Sequence, residues 1–173
     1  PCIVAVIGSG VDWTHPELFR QVWVNDQEIP HNGIDDDSNG FVDDIFGWNF
    51  RDDNNDIMDR GGHDTHVAGV IAARSNNGRG IAGINPGGQI MALKVANFKA
   101  KADSISISQA IIYAVDNGAR VINISYSGES SSRFEQRAIE YAQAHDVLVV
   151  ASAGNKAIDA QDVALAGNPG LLT

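Results

Sequence analysis

Short β-branched runs recur along this chain and alternate with segments that carry helix start and stop signals. Ile3-Val-Ala-Val-Ile7 ends at Gly8-Ser-Gly10, which reads as a buried strand followed by a turn. Ile90–Val95, Val121–Ser125 and Val147–Ala151 read as three more strands. Thr65–Ala73 is small and apolar enough to be a buried helix. Ser106-x-x-Gln109 has capping-box spacing before Ala110-Ile-Ile-Tyr-Ala-Val115, with Gly118 placed to end that helix. Ser132-x-x-Glu135 starts another helix that runs to about His145. Strands joined through helices need crossovers, so the expected fold is three-layer α/β, a mostly parallel sheet with helices on both faces. All 173 residues, 1–173, suit one domain. Chemistry in such a sheet collects beyond the carboxyl ends of the strands. Those positions are Gly8–Gly10, Lys94–Asn97, Ser125–Gly128 and Ser152–Asn155.

Charge is concentrated in one place. The chain has 12 Lys+Arg against 22 Asp+Glu, a net charge of −10. Between Asp26 and Asp59 lie eleven acids and one base, Arg51, while the remainder is neutral. Nucleic-acid binding therefore has no electrostatic footing. Residues 26–60 are rich in Asp, Asn and Gly without apolar period, and read as a long ordered loop or ribbon of the functional or ion-bound kind. Within them, Asp35-x-Asp37-x-Asn39-Gly40-Phe41-x-Asp43 follows the first nine positions of an EF-hand-type loop. Oxygen ligands would come from Asp35, Asp37, Asn39 and the Phe41 carbonyl. Position 12 is Phe46 rather than Glu, and Asp43 or Asp44 is available to compensate. The expected ion is structural Ca²⁺. No apolar run is long enough to cross a bilayer, so no membrane partner is expected. The lone Cys2 rules out an internal disulfide and a cysteine zinc site.

Gly62-His-Asp-Thr-His-Val-Ala-Gly69 places a histidine at the mouth of a small-residue helix. Ala68 and Gly69 are expected to let that helix approach the sheet closely, so that His63 is held rigidly enough to shuttle protons. His63 and His66 are three apart, but no third ligand is suitably spaced, and zinc is not expected. Ala151-Ser-Ala-Gly-Asn155 sets a carboxamide just past a strand, where it can donate to a developing oxyanion or cap the turn. Ile3–Gly10 also looks like the opening of a dinucleotide fingerprint. Trp13 stands where its third Gly belongs, and no acid ends a second strand at the expected distance.

Five ordered blocks resemble the subtilisin-like serine proteases, the subtilases of peptidase family S8. They are Val4–Leu18, Gly62–Gly69, Asn77–Pro86, Val121–Ser125 and Val149–Asn155. The resemblance implies a serine endopeptidase domain with His63 as the base and Asn155 as the oxyanion donor. It also implies cleft walls at Ser125, Tyr126, Ser127 and Gly128 and at Ser152, Ala153 and Gly154, holding an extended peptide or unfolded protein as an added strand. Subtilases commonly bind structural calcium, and are usually secreted. No signal peptide opens this segment, so the compartment is left open.

The departures set the remaining expectations. Gly8 stands where the family carries the triad Asp, and Asp64 replaces the Gly of its His-Gly-Thr-His block. No Gly-Thr-Ser-Met-Ala nucleophile block follows, so this chain alone is expected to be inactive. Neighbouring helix residues diverge by about 100°, so Asp64, the candidate substitute acid, is expected to point away from His63. Asp12 is read as structural. The alternatives are a calcium-stabilised, peptide-binding pseudo-protease, or a protease half completed by another chain. An apolar face left uncovered past Asn155 is expected to bring self-association or a second chain.

Overall fold

The computed structural model describes residues 1–96, 102–126, 132–155 and 165–173. Strands β1 (Ile3–Gly8), β2 (Gly47–Asn49), β3 (Gln89–Lys94), β4 (Val121–Ile124) and β5 (Leu148–Ala151) form one parallel sheet in the order β2-β3-β1-β4-β5. Helices α1 (His63–Ala72), α2 (Ser104–Asp116) and α3 (Arg133–Ala144) cover it. The α/β class expected from the sequence is what the chain adopts.

Period-two alternation sorts the sheet residues between two layers. Ala5 and Ile7 of β1 join Met91, Leu93, Ile122 and Ile124 against Ile107, Ile111, Ala138 and Ile139 of α2 and α3. Val4 and Val6 face the opposite way, joining Ile90 and Ala92 against Ala68 and Ala72 of α1. From β1 the chain first builds β2 and β3 on one side, then crosses through α2 to build β4 and β5 on the other. β1 is therefore the topological switch strand, and a crevice is expected at its carboxyl end.

Three local details differ from the sequence reading. Helix α2 begins a turn earlier, because Asp103 caps it by accepting from Ile105 N and Ser106 N at 3.1 and 2.9 Å. The Ser106 hydroxyl bonds back to Asp103 at 2.7 Å, so this serine serves the cap without being it. β2 lies inside the stretch read as loop or ribbon with no strand assigned to it, and three residues pairing with one neighbour leave almost no period to detect. Ala68 faces the sheet as expected, but a Cβ on Gly69 would meet nothing within 4 Å. The close approach rests on Ala68 and Ala72, both fully buried. The Ser132–Glu135 start of α3 holds: Ser132 Oγ accepts from Phe134 N at 3.2 Å. Leu172 pairs in parallel with Val150, so the last residues begin to cover the β5 edge. Among the described residues no helix is long and apolar enough to cross a membrane.

The two helix positions should respond oppositely to added bulk. Gly69→Ala fills open space and should stabilise by up to about 1 kcal/mol through helix propensity. Ala68→Leu overpacks the α1–sheet contact and should cost about 1–3 kcal/mol. Urea melts of both variants check this.

Candidate active site

β1 ends at Gly8, and the next residue ties the strand to α1. Ser9 donates its backbone N–H to Asp64 Oδ2, and its hydroxyl lies 3.2 Å from the same oxygen. The other oxygen, Asp64 Oδ1, stands 2.6 Å from His63 Nδ1. Asp64 is buried, whereas the His63 side chain is 65% exposed, which leaves its outer edge open to a reacting group. A Cβ built on Gly8 would lie 2.8 Å from Asp64 Cγ and collide with Oδ2. The carboxylate thus fills the space where a side chain at position 8 would begin.

The expectation that Asp64 points away from His63 is overturned. The 100° divergence describes Cβ directions around the axis of a continuous helix. At the first turn there is no preceding turn, and Cα–Cβ bonds tilt toward the N-terminus. Both side chains sweep past the end of α1 and converge there.

The mouth of α1 is unusual. Gly62 caps it with φ 81° and no side-chain bond. Asp59 supplies the missing acceptor: Oδ2 takes Thr65 N at 3.1 Å and Thr65 Oγ1 at 2.8 Å, and Oδ1 takes Gly61 N at 2.8 Å. Burial alone would raise the Asp59 carboxyl. The amides of Gly61, Thr65 and Gly62 and the Thr65 hydroxyl outweigh it and hold this acid below its ordinary value. Ser9 Oγ also lies 3.2 Å from Asp59 Oδ1. Sequence reasoning passed over Asp59 and Ser9; the available signal was an acid two residues before a Gly-Gly turn that opens a helix. Asp12 holds Thr14 N and Thr14 Oγ1 at 3.0 and 2.6 Å, and its own N–H bonds Thr65 Oγ1. Gly10, at φ 99°, lets the chain pass against Ile57 O, where a Cβ would collide.

The proposed cleft walls lie along the same sheet edge. Val6 pairs with Asn123, and Asn123 with Val150, so two residues further on Gly8, Ser125 and Ser152 share a row. β5 is two strand spacings from β1, about 10 Å. Ser152 N bonds Ile124 O at 3.2 Å, and Gly154 N closes the next turn onto Ser152 Oγ at 3.1 Å. Asn155 follows, exposed, as does Ala153, while Ser125, Tyr126, Ser152 and Gly154 are half-buried. Tyr126 packs against the core. Ser127 and Gly128 lie outside the described residues, as does Asn97.

The acidic loop gathers a different set of carboxylates from the EF-hand-like expectation. Oxygens of Glu28, Asp37 and Asp44 lie within 4.8 Å of one another. Asp37 and Asp44 were expected; Glu28, outside the motif, was not. Asp35 instead accepts from Asn39 N and Gly40 N, and Asp43 from Asn32 N and Gly33 N. Those two acids shape turns. Asn39 points its amide nitrogen at Asp37 and Asp44, at 3.0 and 2.9 Å. Phe41 contributes its ring, which packs 5.2 Å from both Trp48 and Tyr113. The Tyr113 hydroxyl donates to Asp44 at 2.5 Å. Burial and the Asp44 charge keep that phenol protonated far above its usual range.

Residues 2–173 match the peptidase S8 subtilase family. The chain belongs to the subtilase family. It is similar to the thermophilic serine proteinase of Bacillus sp. (strain AK1), 38% identical over 152 residues, or 88% of this chain and 32% of that protein. Subtilisin-like protease 1 of Plasmodium vivax is 36% identical over 157 residues, covering 90% of this chain and 25% of its own length. Among solved structures, fervidolysin from Fervidobacterium pennivorans, a keratinolytic enzyme related to subtilisin, matches with a TM-score of 0.70 at 32% identity. That match covers 91% of this chain and 22% of the fervidolysin chain. The subtilase chain described here thus spans a quarter to a third of the length of the two sequence relatives. Subtilases commonly bind calcium, and Glu28, Asp37 and Asp44 form a cluster that could hold a metal ion.

Positions 8 and 64 should be energetically coupled. Gly8→Asp alone forces two carboxylates into one space and should lower Tm by several degrees, the scale of about 1–3 kcal/mol of overpacking. Adding Asp64→Gly should recover most of the loss. Thermal melts of the four-membered cycle measure the coupling; strict additivity would contradict the shared space.

Proposed function

We propose that residues 1–173 form the base-bearing part of a subtilisin-like serine endopeptidase domain in which Asp64 has taken over the task of the triad acid. The observation that carries this reading is the 2.6 Å contact between His63 Nδ1 and a buried carboxylate that fills the space over Gly8. In the reaction, a serine hydroxyl from outside these residues attacks the scissile carbonyl. Nε2 of His63 takes the hydroxyl proton and later delivers it to the leaving amine. Asp64 holds the proton on Nδ1 and stabilises the imidazolium. The Asn155 amide donates to the oxyanion, and Ser125–Gly128 and Ser152–Gly154 hold the peptide in extended form. One side of α1 packs on the sheet, while Val70 and neighbouring Ile84 are exposed. That apolar side suits a further segment or a second chain bringing the serine.

Calcium belongs to the same proposal, with Glu28, Asp37 and Asp44 as ligands. An all-oxygen donor set suits a hard cation. Asp44 is 0% and Glu28 5% exposed, so a cation would offset repulsion that water cannot screen.

A chimera joining residues 1–173 to the nucleophile-bearing segment of fervidolysin tests the catalytic reading. It should cleave a chromogenic peptide without any change at Gly8. Asp64→Ala in the chimera should lower kcat on the order of 10⁴-fold, the scale for loss of a subtilisin triad acid. A chimera that binds peptide without cutting it would favour the pseudo-protease. Separately, calcium at 100 times its Kd should stabilise the parent chain by about 2.7 kcal/mol. Asp37→Ala should abolish that response and Asp35→Ala should keep it, read as calcium-dependent Tm.

A further inference from the structure

The relocated acid needs support that a strand residue would not. Two carboxylates, Asp59 Oδ1 and Asp64 Oδ2, each lie 3.2 Å from the Ser9 hydroxyl. That hydroxyl has a single proton and can donate fully to only one of them. Both acids are buried, and Asp59 is already fixed by Gly61 and Thr65. We propose that Asp59 is a positioning residue for the His63–Asp64 pair, acting through the Ser9 hydroxyl. This rests on the reading of Asp64 as the acid that orients His63.

The direction of the effect follows from the hydrogen-bond count. When Asp59 draws the Ser9 proton, Asp64 Oδ2 retains only the Ser9 N–H as a donor from that residue. Less of its charge is neutralised, and more is directed at His63 Nδ1. When Asp59 becomes a neutral amide, it competes less for that proton or donates to Ser9 itself. The hydroxyl then turns to Asp64 and weakens its hold on the imidazole. Three other charged groups have partners of their own. Lys94, at the end of β3, donates to Met58 O at 2.8 Å, and Arg60 pairs with Asp56 at 3.0 Å. His66 lies three residues along α1 from His63, and Asp12 holds Thr14.

The test needs no nucleophile and uses the full 173-residue chain. Imidazole 15N shifts of His63, recorded where the ring is neutral, give the ratio of Nδ1–H to Nε2–H tautomers. The parent should favour Nδ1–H, and Asp64→Asn should abolish that preference. Asp59→Asn should lower the ratio by about threefold or more, and Asp59→Glu should restore most of it. In a Ser9→Ala background the Asp59→Asn effect should vanish, because the shared hydroxyl is gone. An equal drop in both backgrounds, or no drop in either, overturns the positioning role while leaving the Asp64 reading intact. A parent without the Nδ1–H preference, or one unchanged by Asp64→Asn, sinks the Asp64 reading and this proposal with it. If Asp59→Asn fails to fold by circular dichroism, Ser9→Ala alone decides: the ratio should stay close to the parent's, because Asp59 already holds the hydroxyl proton, and a marked rise, which places that proton on Asp64 in the parent, or a drop overturns the proposal.

Discussion

One carboxylate fits over the carboxyl end of β1, and the geometry around it depends on that exclusion. Gly8 contributes no side chain there, and Asp64 reaches in from α1 to bond Ser9 on one oxygen and His63 on the other. A group buried in this way must have its hydrogen bonds satisfied or it destabilises the fold. Here the satisfaction itself joins helix to strand. The two departures from the family pattern, Gly at 8 and Asp at 64, therefore meet in one space, and the proposed function treats them as one rearrangement.

That rearrangement is possible because α1 starts where it does. Ala68 and Ala72 press the helix onto β1 and β3, bringing its first turn level with the end of β1. A helix N-terminus favours a carboxylate and disfavours a cation. Asp64 is thus at home in the first turn, while an imidazolium on His63 would depend on Asp64 for its stabilisation. The same end of the sheet presents Ser125 and Ser152 in the row of Gly8. The parallel register therefore sets the candidate site and the proposed cleft residues side by side before any loop detail matters.

Much of this was legible in the sequence, and the misses share a cause. Strands β1, β3, β4 and β5 announce themselves by β-branched runs, and α3 by its Ser132–Glu135 start. These signals are local, and the structure keeps them to within a residue or two. The direction of Asp64 was misjudged because helix angles were applied at a helix end, where the tilt of the side chains governs. The carboxylate cluster differs from the motif expectation for the opposite reason. A motif spacing was trusted over chain reversal, and turns at Asn32–Gly33 and Asn39–Gly40 consume Asp43 and Asp35. Glu28 and Asp59 work across a fold-back, and no periodicity in the chain reports that.

If Asp64 serves as the triad acid, as proposed, moving that acid from strand to helix changes what must be kept rigid. An acid on β1 and a base on α1 are held in register by the packing of two elements. An acid adjacent to its base on one helix keeps that pairing through any small shift of α1. What becomes adjustable is the rotamer of Asp64, a short side chain whose second oxygen is fixed by Ser9. Preorganisation is therefore transferred from the sheet to the turn at residues 59–62, whose glycines give it no side-chain packing. The Asp59 carboxylate, bonding Gly61, Thr65 and Ser9 together, supplies the rigidity that the glycines cannot.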